Sequence, residues 1–213
     1  NNPSNNKIIA LYLYAGGTAA MHKLNFLDAR DLDAAYRIDW SGGVTHGSNG
    51  ITGNSVNGTG DTHYIPSDYG DEIAVFTYNR TSGNDAGPDL VAYHSSGTSI
   101  TDIFAKWTDS KTYYSANATA EDDLTGMSAT GLLLSTSEGA TTQRLYRNGA
   151  SVDSASKTLG KPDRSIRILG MSGIGFTGRN SGASGICKEL NSTEAADLYT
   201  GMQAYQTAMS RQV

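Results

Sequence analysis

The sequence predicts an all-β chain, two antiparallel sheets packed as a sandwich, closed by a single C-terminal helix. Three observations carry this. The dipeptide Asn148-Gly149 joins two extended runs, the strongest short-range signal for a two-residue hairpin. The 213 residues include 25 Gly and only 17% charged residues, with abundant Ser, Thr and Asn, as short strands joined by tight turns require. Only near the end do apolar residues fall at helical spacing, at Leu198, Met202, Tyr205 and Met209.

Taken in order, Lys7–Tyr14 reads as a first strand ended by Gly16-Gly17, and Ala35–Trp40 as a second, with Tyr36, Ile38 and Trp40 alternating against Arg37 and Asp39. Residues 41–60 are too polar for a core and too long for a turn, which predicts a surface excursion with one short strand. Strands are expected at 62–66, 71–79, 90–94, 99–107 and, briefly, 111–115, followed by an acidic loop over 117–126. In 128–136 the run Leu132-Leu133-Leu134 marks a central strand covered on both faces.

The hairpin comes next, with Leu145 and Arg147 facing one side of its first strand and Arg144 and Tyr146 the other. A third strand, 164–170, is expected to continue it as a meander, and 184–189 to return as the last strand after a Gly-rich loop. Asn191, three residues before Glu194, caps a helix over about 192–211, expected to pack on the edge of the sandwich. This makes about 12 strands in one domain spanning residues 1–213. The chain begins at Asn1 with a polar Asn-Asn-Pro-Ser-Asn-Asn lead, which reads as a piece of something longer.

Certain residues carry a resemblance. The run Gln143-Arg144-Leu145-Tyr146-Arg147-Asn148-Gly149, the strand Ile166–Gly170 and the helix beginning Thr193-Glu194-Ala195-Ala196 resemble concanavalin A-like (laminin-G-like) jelly-roll modules. Gly16-Gly17-Thr18-Ala19, His22-Lys23, Asp31-Leu32-Asp33-Ala34-Ala35-Tyr36-Arg37 and the terminal Ala204-Tyr205-Gln206-Thr207-Ala208 look like a C-terminal module of bacteriophage virion structural proteins. The resemblance implies a jelly-roll sandwich on a virion surface, in a tail or head fibre or a capsid decoration. Its partners would be a bacterial surface glycan or other virion subunits, and its assembly threefold, as in viral fibres. The fold alone implies no activity.

Several chemistries find no support in the residues. The net charge of −5, without a basic stripe, argues against nucleic-acid binding. The apolar runs fall short of a membrane span. Cys187, the one cysteine, admits no internal disulfide and reads as a small buried hydrophobe. Jelly-roll glycosidases carry Glu-x-Asp-x-x-Glu on one strand, and Glu72, Glu121, Glu138, Glu189 and Glu194 do not form it. His22, His46, His63 and His94 accompany no Gly-x-Ser-x-Gly elbow and read as loop or strand-face residues. Gly173-Ile174-Gly175-Phe176-Thr177-Gly178 matches a dinucleotide fingerprint without the βαβ unit it needs, and reads as a loop.

The expected role is therefore non-enzymatic. No cofactor is expected beyond a structural calcium, for which Asp31, Asp33 and Asp61 are the candidate ligands, converging from separate loops. Saccharide binding needs aromatic faces beside hydrogen-bonding groups. Trp107 with Tyr113 and Tyr114, and Trp40 beside the polar excursion, are the candidates, the alternative being that both tryptophans pack as core.

Overall fold

A computed structural model describes residues 6–213, so the polar lead over residues 1–5 lies outside the described residues. The strands are β1 (Ile8–Tyr12), β2 (Asp39–Ser41), β3 (Thr45–Gly47), β4 (Gly50–Thr52), β5 (Thr59–Asp61), β6 (Ala74–Asn79), β7 (Leu90–Tyr93), β8 (Ile100–Phe104), β9 (Lys111–Ala118) and β10 (Asp122–Thr125). They continue as β11 (Gly131–Glu138), β12 (Thr142–Arg147), β13 (Ala150–Ser156), β14 (Arg167–Ile168), β15 (Gly170–Met171), β16 (Gly175–Phe176) and β17 (Asn180–Cys187). A single helical turn, α1, covers Ala19–His22, and the long helix, α2, covers Ser192–Ala208.

Two antiparallel sheets form the jelly-roll sandwich. One runs β13-β12-β11-β6-β17-β4-β3, with β1 also paired to β17; the other runs β10-β9-β8-β7-β14-β5-β2. Alternation along the strands decides what lies between them. Val75 of β6, Leu133 of β11 and Ile186 of β17 point inward to meet Leu90, Ala92, Ile103 and Ala116 of the second sheet, all of them buried. Their neighbours Phe76, Tyr78, Leu132 and Leu134 point outward and are buried by α2 through Ala195 and Met202. Leu132-Leu133-Leu134 is thus covered on both faces, as expected. The helix lies across a sheet face rather than on an edge, because that apolar outer face needs a cover.

The helix opens as predicted. The Asn191 side chain accepts from the Glu194 N–H at 3.0 Å, while Glu194 accepts from the Asn191 N–H at 2.9 Å. It stops at Ala208 instead of 211, because Ser210 takes a left-handed φ of 55° and the Arg211 N–H returns to the Gln206 carbonyl at 2.8 Å. The hairpin also forms as predicted, with φ 49° at Asn148 and 79° at Gly149. Cys187 is fully buried, and burial pushes its thiol up to about 12.

Five local expectations are corrected. The segment 35–40 is not one strand: Asp33–Ala35 forms a 3-10 turn, Tyr36 is left-handed at φ 58°, and only Asp39–Ser41 pairs. Arg37 gathers Asp31, Asp33 and Asp39 around its guanidinium, and that local ionic knot bends the chain. The polar excursion contains β3, β4 and β5 rather than one strand, since Ile51 reaches the core and a two-residue link at Ser48-Asn49 makes a hairpin. The residues 62–66 do not form the strand expected there, because His63 at φ 60° ends β5 at Asp61. Finally, the acidic loop holds β10, and the third strand of the supposed meander leaves for the other sheet, where β14 pairs β5 and β7.

Candidate functional site

The outer face of the second sheet carries the site. On β7, Leu90 and Ala92 point into the core, so Tyr93 points out; on β8, Ile103 points in and Phe104 out. Phe104 stands opposite Tyr113 of β9. Trp107 heads the turn between β8 and β9, fixed by its own N–H on the Lys111 carbonyl at 2.7 Å and by the Ser110 N–H on its carbonyl at 2.9 Å. Its ring meets Phe104 edge-on at 4.9 Å between centroids and 83°, and Tyr113 meets Phe104 at 6.3 Å and 78°. Such edge-to-face packing holds the half-buried Trp107 and Tyr113 in place against the buried Phe104.

Tyr93, Phe104, Trp107, Tyr113, Glu121 and Ile174 line a cleft of about 380 Å³, the size of a small-ligand site. Glu121 comes from the turn between β9 and β10, and Ile174 from the tip of the β15–β16 hairpin, inside the Gly-rich run with the false dinucleotide pattern. Tyr93 donates its hydroxyl to Glu121 Oε1 at 3.4 Å, and Tyr113 donates to Asp109 Oδ2 at 2.6 Å. Glu121 is the one charged group among the described residues lining this cleft.

Beneath Glu121 lies Asp102, wholly buried on β8. Its Oδ1 accepts from the Ser115 hydroxyl at 3.0 Å, while Oδ2 is buried with no donor among the described residues. Burial, and then the charge of Glu121 within hydrogen-bonding reach, push the Asp102 carboxyl well above the ordinary carboxylate range. Burial first, and then Glu121 and Asp102, push the Tyr93 hydroxyl up as well.

Of the four aromatic candidates, the structure brings Trp107 and Tyr113 together in this cleft. Tyr114 is corrected: it alternates inward from Tyr113 and is fully buried. Trp40 lies on β2, at the opposite end of the sheet, and packs on Tyr14 and edge-on against His46 at 5.0 Å. It belongs to the rim of the core, as the alternative reading had it. Tyr93, Phe104, Glu121 and Ile174 escaped sequence reasoning. Outward positions of three consecutive strands could have indicated Tyr93 and Phe104; Ile174 carried no signal.

The calcium candidates do not converge. Asp31 pairs with Lys23 and Arg37, Asp33 with Arg37, and Asp61 with Arg167 at 2.8 Å. The carboxylates that do gather are Asp33 and Asp39, with His63, their ligand atoms within 4.8 Å of one another. That set does not fit calcium, which takes six to eight oxygens, because an imidazole stands in it and Arg37 already neutralises both acids. A second cleft, lined by Arg164, Arg167, Thr59 and Phe176, offers a single aromatic ring and so a poorer saccharide platform. Among the described residues no helix is long and apolar enough to cross a membrane.

No protein-family model and no curated protein sequence matches the chain. Solved structures do. Over 93% of its length the chain is similar to a Trypanosoma rangeli sialidase in complex with 2,3-difluoro-KDN, with TM-score 0.64, 12% identity and 33% of that chain covered. Over 92% it is similar to the botulinum neurotoxin type G receptor binding domain, with TM-score 0.58, 14% identity and 52% of that chain covered. The receptor binding domain of the botulinum neurotoxin C/D mosaic serotype gives TM-score 0.62 at 12% identity, over 92% of this chain and 51% of that one. The chain thus spans between a third and about half of these proteins, and the likeness establishes the sandwich fold alone.

Proposed function

We propose that the chain is a non-enzymatic saccharide-binding module displayed on the surface of a bacteriophage particle, where it meets a bacterial surface glycan. The observation that carries this reading is the cleft in which Trp107, Tyr113 and Phe104 are fixed edge to face beside Glu121. Rigid aromatic faces beside a hydrogen-bonding carboxylate suit a sugar, whose C–H face stacks while its hydroxyls donate. Likeness to parts of a sialidase and of receptor-binding domains supports the reading at the level of fold only. The virion setting rests on the resemblance of residues 16–37 and 193–213 to phage structural modules. A glycan-cleaving role is disfavoured, since glycosidase carboxyls stand about 5–10 Å apart with the bond between them. Asp102 and Glu121 are in mutual hydrogen-bonding reach and Asp102 is sealed from solvent.

The test is a bacterial polysaccharide array probed with the purified chain, with and without EDTA. Specific binding lost on Trp107→Ala supports the module, and insensitivity to EDTA supports binding without calcium. A silent array would sink the saccharide reading. A second reading, a subunit-interaction module assembling in threes, is favoured by the apolar groove of about 490 Å³ between β1 and α2, lined by Ile8, Leu11, Leu13, Leu198 and Met202. Light scattering decides it: a monomer at high concentration would exclude self-assembly through that groove.

A further inference from the structure

The charge of the cleft restricts what it accepts. We propose that it takes a saccharide bearing a free, protonated amino group, which seats against Glu121 among the rings of Trp107, Tyr113 and Tyr93. This rests on the saccharide reading above and names the ligand's class.

Three observations lead there. Glu121 is the sole charged lining group among the described residues, and Lys111, the one cation on the adjacent β9, is bound at 2.9 Å to Asp123. Behind it, Asp102 is fully buried with Oδ2 lacking a donor, so two carboxyl groups stand together without a positive partner among the described residues. Such a pair cannot carry both charges unaided, and a cation beside Glu121 supplies the missing attraction. Lastly, the half-buried rings of Tyr93, Trp107 and Tyr113 line the same cleft, and ring faces attract ammonium groups, as in the aromatic cages that recognise methylated amines. An N-acetylated sugar offers the same stacking face but no charge. A carboxylated sugar would add a third negative group to the pair.

The experiment compares a glucosamine oligomer with the N-acetylglucosamine oligomer of equal length by calorimetry, at about pH 6, where a sugar amine is protonated. The expected result is an affinity about tenfold higher for the amine than for the acetylated oligomer, a ratio that falls to about one in Glu121→Gln. The net charge of −5 attracts any polycation, so the variants decide the matter. Trp107→Ala keeps that charge and must lose binding of both oligomers, and near-UV circular dichroism matching the wild type guards against a Glu121→Gln chain that does not fold. Equal binding of the two oligomers, or a preference surviving in either variant, would overturn this inference and leave the saccharide reading standing. Absence of binding by any neutral or charged oligomer, on the array or here, would overturn both.

Discussion

His22 and His46 face each other Nδ1 to Nδ1 at 3.1 Å, one donating to the other. The direction follows from the far side of His22, whose Nε2 accepts the Gly17 N–H at 3.1 Å and so carries no proton. The His22 Nδ1–H therefore donates to His46. His22 is buried against Tyr14, His46 is half-buried against Trp40, and the Arg211 guanidinium lies near enough to His22 to disfavour a second positive charge. Burial, His46 and Arg211 together push His22 down to about 4, and burial lowers His46 as well.

A pH dependence of stability follows. With a folded-state pKa below the unfolded value of about 6.5, His22 binds its proton more readily in the unfolded chain, so its contribution is full above about pH 6.5 and is lost as pH falls towards 4. The shift corresponds to at most about 3 kcal/mol. Asp102, whose pKa is raised, acts in the opposite sense as it takes up its proton. The informative quantity is therefore the difference between wild type and His22→Asn in urea midpoints across this window. The wild type should lose more stability on acidification; parallel profiles would refute the assignment.

Asp89 and Arg179 form a buried ion pair at 2.9 Å, with side chains 1% and 3% exposed. Asp89 also accepts from Asn79 Nδ2 at 3.0 Å and from the Ala105 N–H at 2.8 Å, tying β6, β8 and β17 together. Asp89→Ala leaves the guanidinium uncompensated and should cost about 3–5 kcal/mol by urea unfolding. Adding Arg179→Met should recover part of that loss.

Gly149 sits at φ 79° with the α2 backbone close by: a Cβ placed there would stand 3.0 Å from Ala196 Cα and 3.1 Å from Tyr199 Cβ. Gly149→Ala should therefore destabilise by about 1–2 kcal/mol from the left-handed backbone, with helix displacement adding to it. Near-UV circular dichroism of the tyrosines under α2 would report the displacement.

Tyr113 and Tyr114 are neighbours in sequence with opposite fates. Tyr113→Ala should weaken glycan binding about tenfold, whereas Tyr114→Phe should leave it unchanged, as the ring faces the core. Titration of both variants with the array-selected glycan checks this; equal losses would place the ligand elsewhere.

Elements whose preference is written locally could be read from the residues. The Asn148-Gly149 turn, the Asn191 cap, the doubly covered Leu132–Leu134 and the buried Cys187 each follow from backbone preference or from side chains a few positions apart. Alternation in β6 likewise separates Val75, in the core, from Phe76, under the helix. What alternation does not contain is which sheet a strand joins. Ile166 and Ile168 look like a continuation of the hairpin, yet β14 leaves for the other sheet, where β5 and β7 supply partners far away in sequence. The cleft is the same kind of fact. Tyr93, Trp107, Glu121 and Ile174 come from four segments with no shared local pattern, and the Asp102 carboxyl is pushed up only because folding seals it behind Glu121. Turn chemistry and strand period act over a few residues and belong to the sequence; sheet membership, burial and charge proximity act between distant residues and exist only once the two sheets have closed.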